Sequence, residues 1–409
     1  MVDEQHHGRA PDRGGPVTVA ILVTLALLAA VSPLAADLYL PAFPAMMVDL
    51  RAPSAHVQLS LTAFLAGVAL GQAVFGPLSD RYGRMPPLLI GTAVYLAASV
   101  AAALAPGMGE LIGARFLQGL SGAAGMVIGR AIISDLARGK QAARAFSLTM
   151  LVGGVAPVLG PLAGSSLVRV IGWRGLLWIV AGLGAISLVF VLVFLRETHP
   201  ARSRPDRRRG LAVGRRGRLV RALFTRAYLG NALTLAFAFC TMMAYISASP
   251  FVYQTLMGLS EVGYGLAFGA NALVLTIGGS LSARLVIRHS ERKLAWIGLL
   301  INFGSIIALV GLSLSDVPPI IMAGPILAAI GSLGLVFGNT TALALETLRK
   351  TAGSGSAVLG VLQFALAGLA AWMVGIRGES TAVPMAITMA LCSSAALVAF
   401  ATAGSGARR

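Results

Sequence analysis

Along the chain, long unbroken apolar runs alternate with short segments that are polar, basic or rich in glycine. The runs reach about 20 residues or more and do not alternate apolar with polar, so they read as membrane helices and not as the shorter two-faced strands of a barrel. Twelve runs fit this pattern, at residues 16–46, 56–79, 86–106, 109–133, 144–168, 174–195, 228–250, 262–283, 294–314, 319–343, 353–376 and 381–403. A basic stretch divides them six and six, giving a tail 1–15, a first bundle 16–195, a linker 196–227, a second bundle 228–403 and a tail 404–409. The second half echoes the first: Gly76-Pro77-Leu78-Ser79-Asp80-Arg81 has a counterpart in Gly279-Ser280-Leu281-Ser282-Ala283-Arg284, after the eighth run. Such an echo predicts an all-α membrane protein of two pseudo-symmetric six-helix bundles around a midplane site.

Composition agrees with this reading: 57% hydrophobic and only 11% charged residues, with a mean hydropathy of +0.83, exclude an ordinary soluble domain. Charge then sets the orientation. With both termini in the cytoplasm, 26 of the 32 basic residues fall on the inner side and four, Arg51, Arg169, Arg174 and Arg377, on the outer, while Arg115 and Arg130 lie inside the fourth span. The net charge of +17 collects in the linker, which lacks interleaved aromatics over most of its length. It suits anionic lipid headgroups, and no nucleic-acid partner is expected. Cys240 and Cys392 lie inside spans as small core residues. No convincing cleavage site follows the first run, so it is expected to be retained as a span.

The most specific local pattern is Gly76-Pro77-Leu78-Ser79-Asp80-Arg81-Tyr82-Gly83-Arg84, a tight charged turn between the second and third spans. It resembles the signature at that place in the major facilitator superfamily of transporters, which implies a gating role for Gly76, Asp80, Arg81, Gly83 and Arg84. Asp80, at the end of its helix, is expected to dock on the start of the eleventh span, Thr351 to Ser356, through that helix's dipole.

Ionisable residues within spans are costly and mark function by default. Of the 15 acidic residues only Asp37 sits well within a span, bracketed by Pro33, Pro41 and Pro44, which interrupt helical hydrogen bonds where backbone lines a cavity. Asp37 is therefore the candidate for the coupling proton. Arg115, in Leu111-Ile112-Gly113-Ala114-Arg115-Phe116-Leu117-Gln118-Gly119, is the matching buried cation. Its segment resembles the superfamily's fourth-helix motif, which implies a link to proton transfer. In the fifth span, Gly153, Pro157, Gly160, Pro161 and Gly164 resemble the motif that separates proton-coupled exporters from uptake members.

Asp37-Leu38-Tyr39-Leu40-Pro41-Ala42-Phe43-Pro44, Ala244 to Val252, Leu343-Ala344-Leu345-Glu346 and Gln363-Phe364 are similar to the Bcr/CflA group of drug/proton antiporters. That resemblance implies export of bicyclomycin-like, phenicol-like or other small amphipathic drugs across the inner membrane. Some multidrug relatives carry a second carboxylate two turns before the aspartate. Here that position is Ala29, which implies one proton per cycle. The substrate cavity is expected between the halves, lined by Tyr39, Met46, Arg115, Gln118, Asn231, Tyr245, Phe251, Asn271, Asn339, Gln363 and Phe364. No nucleophile with its base, metal-ligand cluster or nucleotide loop is apparent, so neither an enzyme nor a metal or cofactor is expected. The reading is a monomeric proton-driven exporter, with an uptake facilitator of the same fold as its rival and a membrane receptor or enzyme as the rival from another class.

Overall fold

Several helices begin at a hydroxyl that caps them. Thr18, Thr225, Ser260 and Ser290 each accept a hydrogen bond from the amide three residues on, at 3.4, 3.3, 3.1 and 3.3 Å, and so open four of the long helices. The computed structural model describes residues 18–137, 139–198, 225–346, 352–375 and 381–404. The tail 1–15 and most of the linker 196–227 lie outside the described residues.

The first half comprises α1 (Val19–Asp37), the short α2 (Phe43–Asp49), α3 (Ser54–Tyr82), α4 (Met85–Ala103), α5 (Met108–Leu136) and α6 (Gly139–Phe194). The second comprises α7 (Arg226–Pro250), which runs on into a π-helical turn Phe251–Leu256, then α8 (Glu261–Leu285), α9 (Glu291–Ser313), α10 (Ala323–Glu346), α11 (Ala352–Gly375) and α12 (Val383–Thr402). Among the described residues there is no strand, and eleven helices are long and apolar enough to cross a membrane.

The first expected span differs in detail, and a single glycine marks the expected boundary between the fifth and sixth. The first, expected as one run to residue 46, ends its regular helix at Asp37, and a 3-10 turn Leu40–Ala42 leads into α2. Pro41 and Pro44 lack the amide that would carry the helix onward, and each sits near the start of a new turn, where none is needed. The fifth and sixth expected spans both fall in α6, whose backbone leaves helical geometry at Gly172 (φ 66°, ψ 179°). A side chain is strained at that φ, so glycine marks where the two arms of α6 join.

Within each half the helices touch backbone to backbone. A Cβ added at Gly119 on α5 would lie 2.0 Å from the carbonyl oxygen of Phe64 on α3. In the second half, a Cβ at Gly278 on α8 would lie 2.5 Å from the carbonyl oxygen of Gly331 on α10. The same pair of helices in each half, the second and fourth spans and the eighth and tenth, thus packs by the small-residue contact that lets membrane helices associate. Large apolar side chains such as Leu266, Leu300, Trp372 and Leu391 point outward and are exposed, as contact with lipid requires. The halves meet along α3 and α11 and along α6 and α8, and the central cavity lies between these seams.

Gly119→Ala should cost about 1–3 kcal/mol through overpacking, because the obstructing atom is backbone and cannot swing aside. Gly113→Ala, on the same helix with no atom within 4 Å of the added carbon, should leave the midpoint of thermal unfolding in detergent unchanged or slightly raised. Equal midpoints for the two variants would contradict this account of α3–α5 packing.

Candidate transport site

The site is built around the end of α1. A carbonyl near a helix terminus has no partner within its own helix, and the carbonyl of Ala35 accepts instead from Arg115 Nη2 on α5, at 2.9 Å. Arg115 is fully buried, with 0% of its surface exposed. Its guanidinium lies between two rings, 4.3 Å from the centroid of Tyr39 and 4.5 Å from that of Phe64, and its Nη1 donates to Gln118 Oε1. Gln118 Nε2 donates in turn to Ser99 Oγ at 2.7 Å, and Ser99 Oγ to the carbonyl of Tyr95 at 2.7 Å. A buried cation needs such enclosure. Desolvated cation–π contacts supply about 2 kcal/mol, and two acceptors take one N–H from each terminal nitrogen, while Nε has no hydrogen-bond partner among the described residues.

Asp37 is buried two residues beyond the Ala35 carbonyl. No ion pair at contact distance involves it among the described residues, and Arg115 acts on it through space. Two glycines of α6 make room for this end of α1. A Cβ at Gly160 would lie 3.1 Å from Asp37 Cβ, and one at Gly164 would lie 2.0 Å from the carbonyl oxygen of Leu38. Gly153, Pro157 and Pro161 lie in the same helix.

Asp37 opens onto a cavity of about 410 Å³ between the halves. Its wall includes Phe64 and Met126 from the first half and Phe239, Met242, Met243, Tyr245, Phe268, Asn271, Gln363 and Phe364 from the second, with Pro157 and Val158 of α6. Among the described residues Asp37 is the one carboxylate in this wall, and the other polar groups are hydroxyls and amides such as Ser32, Thr276, Asn271 and Gln363. The arrangement suits an amphipathic molecule held mainly by apolar and aromatic surface.

Of the cavity residues expected from sequence, the structure brings Tyr245, Asn271, Gln363 and Phe364 to the wall with Asp37. Others are engaged elsewhere and do not line it. Tyr39 bonds Ser60 Oγ at 3.0 Å beneath Arg115, and Met46 is fully buried. Arg115 and Gln118 form the network behind the wall. Phe251 packs 6.0 Å from Phe43 near the other end of the molecule. Asn231 donates to the carbonyl of Ala227 and Asn339 to Ser282 Oγ, 2.7 and 2.8 Å away. Phe239, Phe268, Met242 and Thr276 are wall residues that the sequence reading missed. The signal for one of them was present: Phe268, Asn271, Ala272 and Leu275 follow helical spacing around the asparagine already singled out.

At the turn after α3, Gly83 (φ 96°) ends the helix, and a Cβ added at Gly76 would lie 3.9 Å from Val127 Cγ1. Arg84 gathers the turn: it bonds Asp80 at 2.6 Å, Asp135 at 2.9 Å and Ser79 Oγ at 2.9 Å. Glu197 caps α4 by accepting from the amides of Arg84 and Met85, at 2.9 and 3.2 Å. Arg81 lies over the Tyr82 ring, 5.0 Å from its centroid. Asp80 is 64% exposed on its side chain. Of the segment on which it was expected to dock, Thr351 lies outside the described residues and Ala352 begins α11.

Bonded contacts between the halves gather at the far end. Gln254 Nε2 donates to the carbonyl of Pro41 at 3.1 Å, Arg169 pairs with Glu261 at 2.6 Å, and Phe43 meets Phe251. One end of the cavity is thus held shut.

This architecture, with a single carboxylate in an apolar chamber between two helical bundles, is that of a membrane transporter. The family model of the Major Facilitator Superfamily matches residues 25–372, and the chain belongs to that superfamily as a multi-pass inner-membrane transporter. Among its relatives, an uncharacterized MFS-type transporter of Bacillus subtilis, YdgK, is 34% identical over 388 residues, which span 94% of this chain and 96% of that one. A bicyclomycin resistance protein homolog of Haemophilus influenzae is 28% identical across 94% of this chain and 96% of its own length. The multidrug resistance protein MdtL of Salmonella paratyphi B is 27% identical, with 85% and 86% covered. A D-xylose–proton symporter superposes with a TM-score of 0.74 at 14% identity, over 92% of this chain and 96% of that one. An inward-facing, occupied bacterial homolog of the human lysosomal transporter Spinster gives 0.74 at 19%, over 95% and 97%.

Gly164→Ala should abolish transport while Gly160→Ala only weakens it, because the first added carbon meets a backbone oxygen at 2.0 Å and the second a side-chain carbon at 3.1 Å. Uptake or efflux in vesicles containing matched amounts of each variant checks the order. Equal activity would mean that the seat of α1 on α6 does not set the site.

Proposed function

We propose that the protein exports small amphipathic drugs, of the phenicol or bicyclomycin kind or several such classes, in exchange for a proton bound at Asp37. The observation that carries this reading is the lone carboxylate in the wall of an otherwise apolar and aromatic cavity. The names of the Haemophilus influenzae and Salmonella relatives point the same way. The chain acts as a monomer of twelve spans with both termini cytoplasmic, the two arms of α6 on either side of Gly172 counting as the fifth and sixth. It draws on the proton gradient and needs no cofactor.

In this orientation the contacts among Pro41, Gln254, Arg169 and Glu261 close the outer end, and the cavity faces inward. Protonation removes the charge at the end of α1, on which the Arg115 guanidinium acts through space. That shifts the balance between inward-open and outward-open states, and drug and proton alternate in one chamber.

Asp37→Asn should abolish drug export driven by a pH gradient while leaving the protein inserted and folded. Retained proton-coupled export in that variant would refute the assignment. With one proton exchanged, export of a neutral drug should also respond to voltage, at about 2.3 kcal/mol per charge per 100 mV. In proteoliposomes, a clamped potassium gradient with valinomycin reads this directly, and voltage-insensitive export would contradict it.

Among the described residues, Asp80 is exposed and pairs with Arg84 of its own turn. It docks on the start of α11 when the cavity closes to the cytoplasm, a contact worth up to about 2 kcal/mol against a helix dipole. Cysteines placed at Ser79 and Ser354 should crosslink more when the protein is trapped outward-open than in drug-free membranes. Low yield in both conditions would exclude the contact as a gate.

A further inference from the structure

Arg130 lies on α5 four residues beyond Met126, about 6 Å further along the helix axis. Met126 is part of the cavity wall. Which way Arg130 faces follows from its neighbours. One flank of α5 packs on α1, where carbons added at Gly125 and Gly129 would meet Leu28 and Leu25. The opposite flank packs on α3, where carbons added at Gly71 and Gly76 would meet Ala123 and Val127. By helical spacing, Met126 and Arg130 share the face left between these flanks, which is the face that looks into the cavity.

Arg130 is exposed there. Its Nε donates to the carbonyl of Met126 at 2.9 Å, which holds the guanidinium against the cavity-lining turn. None of the ion pairs among the described residues includes it. The nearest acid in sequence, Asp135, is already engaged by Arg84 and by Thr198 at 3.1 Å. Arg115 is sealed behind Tyr39 and Phe64, whereas Arg130 is a guanidinium open to a molecule on its way from the turn end of the bundle to Asp37.

Resting on the drug-export reading above, we propose that Arg130 is a specificity-determining residue on the substrate path. Its free N–H groups engage an acceptor on the drug, such as a carbonyl, nitro or sulfonyl oxygen, and its charge turns away permanent cations. The path is then bipolar, positive at the mouth and acidic at its depth. A neutral molecule with acceptors at one end passes, whereas a lipophilic cation that the carboxylate would attract is repelled first.

Export of chloramphenicol, a neutral drug bearing nitro and carbonyl acceptors, and of tetraphenylphosphonium, a permanent cation, is measured in vesicles for the wild type, Arg130→Gln and Arg130→Lys at matched protein levels. Arg130→Gln should lower chloramphenicol export about tenfold at low drug concentration and raise tetraphenylphosphonium export several-fold. Arg130→Lys should keep the cation excluded. Equal change for both compounds, or none for either, would overturn the proposal, and the first of these would mark a merely structural arginine. A wild type that exports neither compound would overturn the drug-export reading and this inference with it.

A second measurement does not depend on transport. With Cys240 and Cys392 replaced by alanine, Arg130→Cys should react with a water-soluble methanethiosulfonate and be protected by chloramphenicol. An unreactive thiol would refute the placement on the path even if drug export is confirmed.

Discussion

A guanidinium with no exposed surface is the constraint on which this half of the molecule depends. Arg115 has to find acceptors and aromatic faces within the bundle, because neither lipid nor open water reaches it. It finds them on three helices at once: its own α5, α1 through the carbonyl of Ala35, and α3 through the ring of Phe64. The end of α1 is thereby tied to the centre of the bundle, and Asp37 is held where the cavity begins. Removing the cation would leave a helix-end carbonyl without its donor and two rings facing a void. The network thereby fixes the position of Asp37.

The glycines of α6 complete the arrangement from the other side. Membrane helices gain little from apolar burial against one another, since lipid is equally apolar, and close backbone contact takes its place. At Gly160 and Gly164 that contact serves position more than affinity. The last turn of α1 comes near enough to α6 for the carboxyl to face the chamber, although the prolines that follow have already ended its regular helix.

Much of this was legible in the sequence, and the physical reason is the cost of charge in hydrocarbon. Asp37 and Arg115 stood out because ionisable residues are so rare inside the spans, and the helical bundles followed from the length of the apolar runs. The chamber wall was less legible. Tyr39, Asn231 and Asn339 are polar or aromatic residues within spans, as are Tyr245 and Asn271, and what separates them is the rotation of each helix about its axis. In a soluble protein a polar face reveals that rotation, but here lipid and core are both apolar. Tyr39 turned inward to carry Arg115, whereas Phe268 and Met242, apolar like hundreds of other atoms around them, turned to the cavity without any mark in the sequence. The break at Gly172 was legible, because Arg169 and Arg174 mark the boundary between two apolar runs, and the glycine lies between them.

The seam that shuts the far end of the chamber is made of modest parts. The ion pair of Arg169 and Glu261 is half exposed on both side chains, at 54% and 36%, and pairs of that kind are worth under about 1 kcal/mol. Among the described residues the other bonded and ring contacts named there are one amide hydrogen bond and an aromatic pair, set in apolar packing. A closure with so few polar fastenings is cheap to undo at those points, and for a machine that opens on every turnover this is an advantage. A buried and fully bonded pair at the same place would turn a latch into a lock, and the cost of undoing it in each cycle would be taken from the driving force meant for the cargo.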